Sequence, residues 1–249
     1  MTWDAPRVAF FRPDDERLDD ARSILQTRDA EPVADPMLAI EPTGAVPRTD
    51  TDYLILTSKT GVECVATTPV DLSGITTCAI GEATAAAMRA ADMPVDIVPE
   101  VFTSRGLVER LSEDVDGARV EISRSDHGSP VLIAGLIAAG AYVHETVLYE
   151  LTRPAASGHS AEQLVAGDID AVLFTSSLTV EHFLEAAQER DMETAVLEAL
   201  QSVTVGVIGP PTERTAISSG IDVDIVASEA DFESLAEAVL DALSPDGVT

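Results

Sequence analysis

Short apolar runs alternate along this chain with stretches whose apolar residues recur every three or four positions. Arg7–Phe11 is an apolar run of strand length. After Pro13, the stretch Asp14–Asp29 puts Leu18, Ala21, Ile24 and Leu25 on one helical face. Asp14, Asp15 and Glu16 suit its start, where the helix dipole favours acidic side chains. Tyr53–Leu56 reads as a strand ending at Thr57-Ser58, where a helix opens. Thr77–Ile80 is a further strand, followed by a helix over about 84–91. Val95–Val98 is a strand and Ser104–Leu111 a helix. The second half echoes this order. Such alternation predicts an α/β fold of parallel sheets covered by helices on both faces.

The echo is an internal repeat. Arg7-Val8-Ala9-Phe10-Phe11-Arg12 resembles Arg119-Val120-Glu121-Ile122-Ser123-Arg124. Leu54-Ile55-Leu56-Thr57-Ser58 resembles Val172-Leu173-Phe174-Thr175-Ser176. Ala79-Ile80-Gly81-Glu82-Ala83-Thr84 resembles Val207-Ile208-Gly209-Pro210-Pro211-Thr212, and Ile97-Val98-Pro99 resembles Ile225-Val226-Ala227. The pairs occur in one order, with offsets drifting from 112 to 128 residues. One short match is chance; four in order argue for two copies of one unit. Pro and Gly concentrate at 35–48 and 152–158, which read as crossings between two lobes.

Composition bounds the setting. The 249 residues suit one large domain or two small ones, and 45% hydrophobic residues are ample for a core. The charge is extreme: 44 Asp+Glu against 15 Lys+Arg, a formal net charge of −29, with Lys59 the single lysine. A folded chain so acidic repels itself at ordinary ionic strength. Molar salt shrinks the Debye length to about 3 Å and screens that repulsion, which points to a salt-rich cytoplasm. Duplex nucleic acid and anionic membranes are poor partners for such a surface. The N-terminal Met-Thr-Trp-Asp-Ala-Pro lacks the basic and apolar regions of a signal peptide, and the longest apolar stretch, near Val131–Ala141, is too short to span a bilayer. Cys64 and Cys78 sit in apolar surroundings and read as free thiols of a reducing compartment.

In open parallel sheets ligands bind outside the carboxyl ends of the strands, and the repeated motifs fall there. Ser58, and Ser176 with Ser177, end strands and open helices; Gly81 with Thr84, and Gly209 with Thr212, do the same. Hydroxyls and free helix-start N–H groups make anion sites, and glycine lets backbone approach a ligand. The plainer reading is that each Ser or Thr only caps its helix. Cations are scarce, so Arg12 and Arg124, each following a first strand, and Lys59 after its Thr-Ser turn suggest local anion pockets. Their plainer reading is solvated ion pairing. The four histidines show no metal spacing. Phosphate-loop, nucleophile-elbow and dinucleotide fingerprints are absent. Tyr149 lies just before the second crossing, where it can either pack or face a cleft.

Taken together, Arg12-Pro13, the Leu-Thr-Ser turn at 56–58, Ile80-Gly81 through Thr84, Arg124 with Leu132, Gly140 and Ala141, Val147-Leu148-Tyr149, Phe174-Thr175-Ser176 and Ile208-Gly209-Pro210 through Thr212 resemble the uroporphyrinogen-III synthase family. The resemblance runs over nearly the whole chain. It implies two α/β lobes joined by a two-stranded antiparallel ladder with a cleft between them. One lobe would hold 1–38 plus 152–249, the other 42–148, with crossings near 38–42 and 148–152. It implies closure of hydroxymethylbilane, a linear tetrapyrrole, to uroporphyrinogen III, with loss of water and inversion of the last ring, and without metal or organic cofactor. Tyr149 matches the family's tyrosine and is the candidate general acid. Ser58, Thr84, Ser176 and Thr212 match family cleft positions, and Arg12, Lys59, Gly81, Arg124, Ser177 and Gly209 complete the candidate substrate contacts. The expected state is a cytoplasmic monomer, meeting the upstream deaminase transiently. Departures are Pro211, which makes the turn Gly-Pro-Pro-Thr, and Glu82, whose charge opposes an acidic substrate. A bilobal binding module of the solute-receptor kind would share the architecture but is normally exported. A regulatory derivative of the synthase would need an output segment, and none is visible before Thr249.

Overall fold

The computed structural model describes residues 5–68 and 70–244. Most of Met1–Pro6, on which the absence of a leader was read, lies outside them, as does the C-terminal stretch ending at Thr249. In chain order the elements are β1 Arg7–Phe10, α1 Glu16–Gln26, β2 Glu31–Ala34, β3 Ala39–Pro42, β4 Tyr53–Leu56, α2 Lys59–Ala66, β5 Thr76–Ala79, α3 Glu82–Ala90, α4 Ser104–Leu111 and β6 Arg119–Ser125. There follow α5 Pro130–Ala138, β7 Tyr142–Thr152, α6 His159–Val165, β8 Ala171–Phe174, α7 Ser177–Gln188, α8 Glu193–Leu200, β9 Thr204–Val207, α9 Pro210–Ser218, β10 Ile225–Val226 and α10 Phe232–Leu243.

The chain forms two compact units, one of residues 1–39 and 152–249, the other of 40–151. The first holds a sheet of order β10-β9-β8-β1-β2, the second a sheet of order β3-β7-β6-β4-β5. The registered pairs β1–β2, β1–β8, β8–β9, β9–β10, β4–β5, β4–β6 and β6–β7 are all parallel.

The repeat is visible at the level of register. Ala9 faces Val172 as Glu121 faces Leu54. Val172 faces Val205 as Leu54 faces Thr77. Ile225 pairs with Gly206, and Ile97 bridges Cys78. Yet each sequence half puts its first strand in one unit and its later strands in the other: β1 joins β8 and β9, while β6 joins β4 and β5. The expected strand at Val95–Val98 is reduced to that single bridge. Pro94 and Pro99 flank it and lack the N–H a ladder needs, and the Asp96 side chain turns back onto Thr77 N at 2.8 Å.

Alternation along the strands explains the layering. In the first unit Val8 and Phe10 pack with α1 and α10, while Ala9 and Phe11 pack with helices α6 to α9. Phe11 centres this second face, with ring centroids 5.1 Å from both Phe174 and Phe183. Each such buried ring contributes roughly 2–3 kcal/mol of apolar transfer. In the second unit Ile55, Val120 and Ile122 pack with α4 and α5, and Leu56 and Ala79 with α2 and α3. Cys64 and Cys78 are free thiols; burial pushes the Cys78 thiol up to about 12. Among the described residues no helix is long and apolar enough to cross a membrane.

Candidate active site

In the second unit, neighbouring strands β4 and β5 end at two helix starts. Ser58, extended at φ −156°, is the N-cap of α2, and its Oγ accepts Gly61 N–H at 2.9 Å. Ser58 Oγ also lies 3.0 Å from the Tyr149 hydroxyl. Tyr149 stands near the end of β7, opposite Ser125 where the β6–β7 register shifts. Its ring is 6% exposed and packs with Leu56, Val62, Val65 and Leu148. Lys59, the first residue of α2, is exposed.

Gly81 is the N-cap of α3 and makes no side-chain cap. Its open face is taken by Phe102: a Cβ added at Gly81 would lie 3.0 Å from Phe102 Cβ. The glycine thus admits a neighbouring ring, and that ring is itself 60% exposed. Thr84 is buried in the first turn of α3, and its repeat counterpart Thr212 is buried in the first turn of α9.

In the first unit Ser176 caps α7 through a reciprocal box: its Oγ accepts Thr179 N–H at 3.2 Å and Thr179 Oγ1 accepts Ser176 N–H at 3.2 Å. Ser177 Oγ donates to the Pro211 carbonyl at 3.2 Å. Gly209 caps α9 in extended backbone, with Pro211 Cδ, at 3.9 Å, nearest to an added Cβ. Pro210 and Pro211 occupy the first helical positions. Neither carries an N–H, so this helix start offers fewer anion donors than its counterpart at Glu82-Ala83-Thr84.

The two arginines differ. Arg12 follows β1, with its guanidinium carbon 5.1 Å from the centroid of Phe232. Its Nε is buried and, among the described residues, has no hydrogen-bond partner. Burial, with Arg17 nearby, holds Arg12 below the ordinary arginine value, against the pull of Asp15, Asp20 and Asp231. Arg124 does not follow its strand as the sequence suggests but lies inside β6. Its Nε donates to Glu145 Oε1 at 2.6 Å and its Nη1 to the Ser129 carbonyl at 2.6 Å. Gly128 makes room, since a Cβ there would fall 2.3 Å from Arg124 Nε.

Gly61 and Phe102 escape the sequence reading; the glycine three positions after Ser58 is the signal that could have flagged the first. Two buried carboxylates also escape it. Asp35 is fully buried and accepts Gly158 N–H at 3.0 Å, Ser160 N–H at 2.9 Å and Ser160 Oγ–H at 2.5 Å, with His159 Nδ1 at 3.1 Å. Glu121, fully buried in β6, meets Ser123 Oγ at 3.1 Å and His144 Nδ1 at 2.6 Å. Among the described residues no three His, Cys, Asp or Glu side chains are grouped to hold a metal ion.

Comparison with known proteins agrees with this architecture. The family model described as uroporphyrinogen-III synthase HemD matches residues 19–237. A Methanothermobacter thermautotrophicus protein provisionally named uroporphyrinogen-III synthase is 34% identical over 179 residues, 68% of this chain and 70% of that one. The uroporphyrinogen-III synthase of Synechococcus elongatus is 29% identical over 201 residues, 76% of this chain and 75% of that one. A mutant uroporphyrinogen III synthase from the extremely thermophilic bacterium Thermus thermophilus shares the fold with a TM-score of 0.69 at 20% identity, covering 96% of this chain and 99% of its own. The Helicobacter pylori uroporphyrinogen-III synthetase does so with a TM-score of 0.65 at 16% identity, covering 95% and 99%. A family match that takes in strands and helix starts of both units leads to one conclusion: the chain belongs to the uroporphyrinogen-III synthase family.

Proposed function

We propose that this protein closes hydroxymethylbilane to uroporphyrinogen III, with loss of water and inversion of the terminal pyrrole ring, and that Tyr149 is its general acid. The observation that carries the activity is the family match over residues 19–237. The acid role rests on the Tyr149 hydroxyl, an O–H held 3.0 Å from the helix-capping Ser58, on a buried ring that belongs to an apolar cluster. Electron-rich pyrroles supply the driving force, so the protein has mainly to position the chain and shield reactive intermediates. One proton delivered to the leaving hydroxyl makes water of it.

The substrate's carboxylates meet a protein of net charge −29. Helix-start N–H groups, hydroxyls and single cations bind carboxylates locally without a positive surface. Lys59 and Gly81 in one unit, and Arg12, Ser176, Ser177 and Gly209 in the other, are the groups we assign to that task, while Ser58 faces the Tyr149 hydroxyl. Arg12 is the strongest of them, because among the described residues its Nε has no hydrogen-bond partner. Thr84 and Thr212 shape the first turns behind the capping residues. The protein works as a monomer in a salt-rich cytoplasm, and it meets the deaminase that makes its substrate briefly, because hydroxymethylbilane also closes unaided.

The test is a coupled assay in molar KCl: deaminase supplies hydroxymethylbilane, and the isomers formed are oxidised and separated. Isomer III in place of spontaneous isomer I is the expected result. Isomer I alone, from folded protein, would overturn the proposal in favour of a non-catalytic binding or regulatory module.

A further inference from the structure

We infer that Ser58 is a positioning residue for the acid, donating a hydrogen bond to the phenolate that Tyr149 becomes when it gives up its proton. The inference rests on the reading of Tyr149 as the acid. A serine hydroxyl has one hydrogen and two lone pairs. One lone pair takes Gly61 N–H at 2.9 Å, and the Tyr149 oxygen lies 3.0 Å away. Once Tyr149 has lost its proton, the only hydrogen left between the two oxygens is the serine's. In that state Ser58 is the donor whichever way the pair points beforehand. A hydrogen bond to the charged form favours that form, and the Gly61 amide at the positive end of α2 polarises the serine O–H in the same sense.

The surroundings favour the relay. The tyrosine ring lies among Leu56, Val62, Val65 and Leu148, where little water competes. Of the charged residues near the ends of the elements that meet here, Lys59 and Glu63 on α2, Asp126 and His127 after β6, and Glu145 and Glu150 on β7 are exposed. Arg124 and Glu121 of β6 are buried, but the first is held by Glu145 and the Ser129 carbonyl and the second by Ser123 and His144. A Cβ at Gly61 would stand 3.1 Å from Ser58 Oγ and 3.6 Å from Leu148 Cδ1, so a side chain there would crowd the serine. The repeat supplies an internal control. The counterpart of Gly61 is Thr179, and Ser176 is occupied with that residue in its own helix cap.

The step balances. The proton leaves Tyr149 Oη for the departing hydroxyl, the carbon–oxygen bond breaks with its electron pair going to oxygen, and water leaves. The proton released when the attacked pyrrole regains aromaticity restores the phenol.

The experiment measures isomer III formation against pH for wild type, Ser58→Ala, Ser58→Thr, Tyr149→Phe and the Ser58→Ala/Tyr149→Phe double variant, with circular dichroism on each. Ser58→Ala is expected to lower kcat about tenfold with little change in KM. Its alkaline limb should move to higher pH, because the phenol without its donor holds its proton more tightly. Ser58→Thr, which keeps a hydroxyl, should regain turnover and bring the limb back. Ser58→Ala should add nothing in the Tyr149→Phe background. A slow Tyr149→Phe beside a Ser58→Ala with wild-type kcat and limb would overturn the positioning role and leave Tyr149 as the acid. Wild-type turnover in Tyr149→Phe would overturn the acid reading beneath it. Should Ser58→Ala not fold, Ser58→Gly, which also removes the hydroxyl and is a tolerated N-cap, replaces it; an unmoved limb and kcat there would also overturn the role.

Discussion

Asp52 and Asp170 make the same bond in different sheets. Asp170 Oδ2 accepts Arg7 N–H at 2.7 Å at the start of β1, and Asp52 Oδ2 accepts Arg119 N–H at 2.8 Å at the start of β6. Each is followed by its own strand, β8 or β4. Asp96 and Asp224 repeat the arrangement one strand further on, each accepting from a strand N–H at 2.8 Å. Asp52→Ala and Asp170→Ala should therefore lower the melting temperature by similar, small amounts, at most about 3 °C, as scanning calorimetry would read. For Asp52, the Arg119 N–H holds the carboxyl below its ordinary 3.8. A depressed carboxyl stabilises the fold above its unfolded pKa and ceases to as pH falls through the folded one. The gap between wild type and Asp52→Ala should be full at pH 7 and close on acidification below 3.8.

Arg12 and Arg124 should separate in their effects. Among the described residues the buried Nε of Arg12 has no hydrogen-bond partner, whereas Arg124 is 4% exposed and committed to Glu145 and the Ser129 carbonyl. Arg12→Leu should raise KM for the tetrapyrrole several-fold with a minor loss of stability. Arg124→Leu should cost about 3 kcal/mol in denaturant unfolding, because it leaves a carboxylate and a carbonyl without their donor. Steady-state kinetics beside urea melts checks both, and equal KM effects would argue that Arg124 leaves Glu145 when substrate binds.

Asp35 is the buried carboxylate on which the first unit depends most. It holds the backbone of Gly158 and Ser160, 123 and 125 residues away, at the start of α6. Asp35→Ala should destabilise this unit by about 3 kcal/mol, since two buried N–H groups lose their acceptor. Asp35→Asn, which keeps one acceptor oxygen, should cost less. Hydrogen exchange at 158–160 gives the local readout.

Salt dependence should be large. With a formal charge of −29 the surface repels itself. Raising salt from 0.1 to 1 M shortens the Debye length from about 10 to about 3 Å. The melting temperature should climb steadily over that range. A flat response would mean that the acidic surface is no adaptation to salt.

Much of the local structure is legible in the chain because it depends on neighbours three or four residues away. The apolar spacing of α1, the strand at Tyr53–Leu56 and the helix at Ser104–Leu111 appear where periodicity puts them. The matched strings at Arg7/Arg119, Leu54/Val172, Ala79/Val207 and Ile97/Ile225 reappear as equivalent places in two sheets, because strands with like neighbours find like registers. The Ser58 and Ser176 caps are legible for the same reason: a cap bonds to an amide three residues on.

What the chain by itself determined was therefore the repeated strand–helix unit, its caps and its acidic surface. The tertiary structure decided what those pieces meet. That β1 leaves its own half to pair with β8 depends on which strand edge is free once the sheet assembles. Tyr149 reaches Ser58 across 91 residues because parallel strands bring their carboxyl ends together. Arg124 ends on Glu145 because adjacent parallel strands place the two side by side. No pattern of period two or 3.6 encodes such encounters; they arise from strand order, and strand order exists only in the folded sheet.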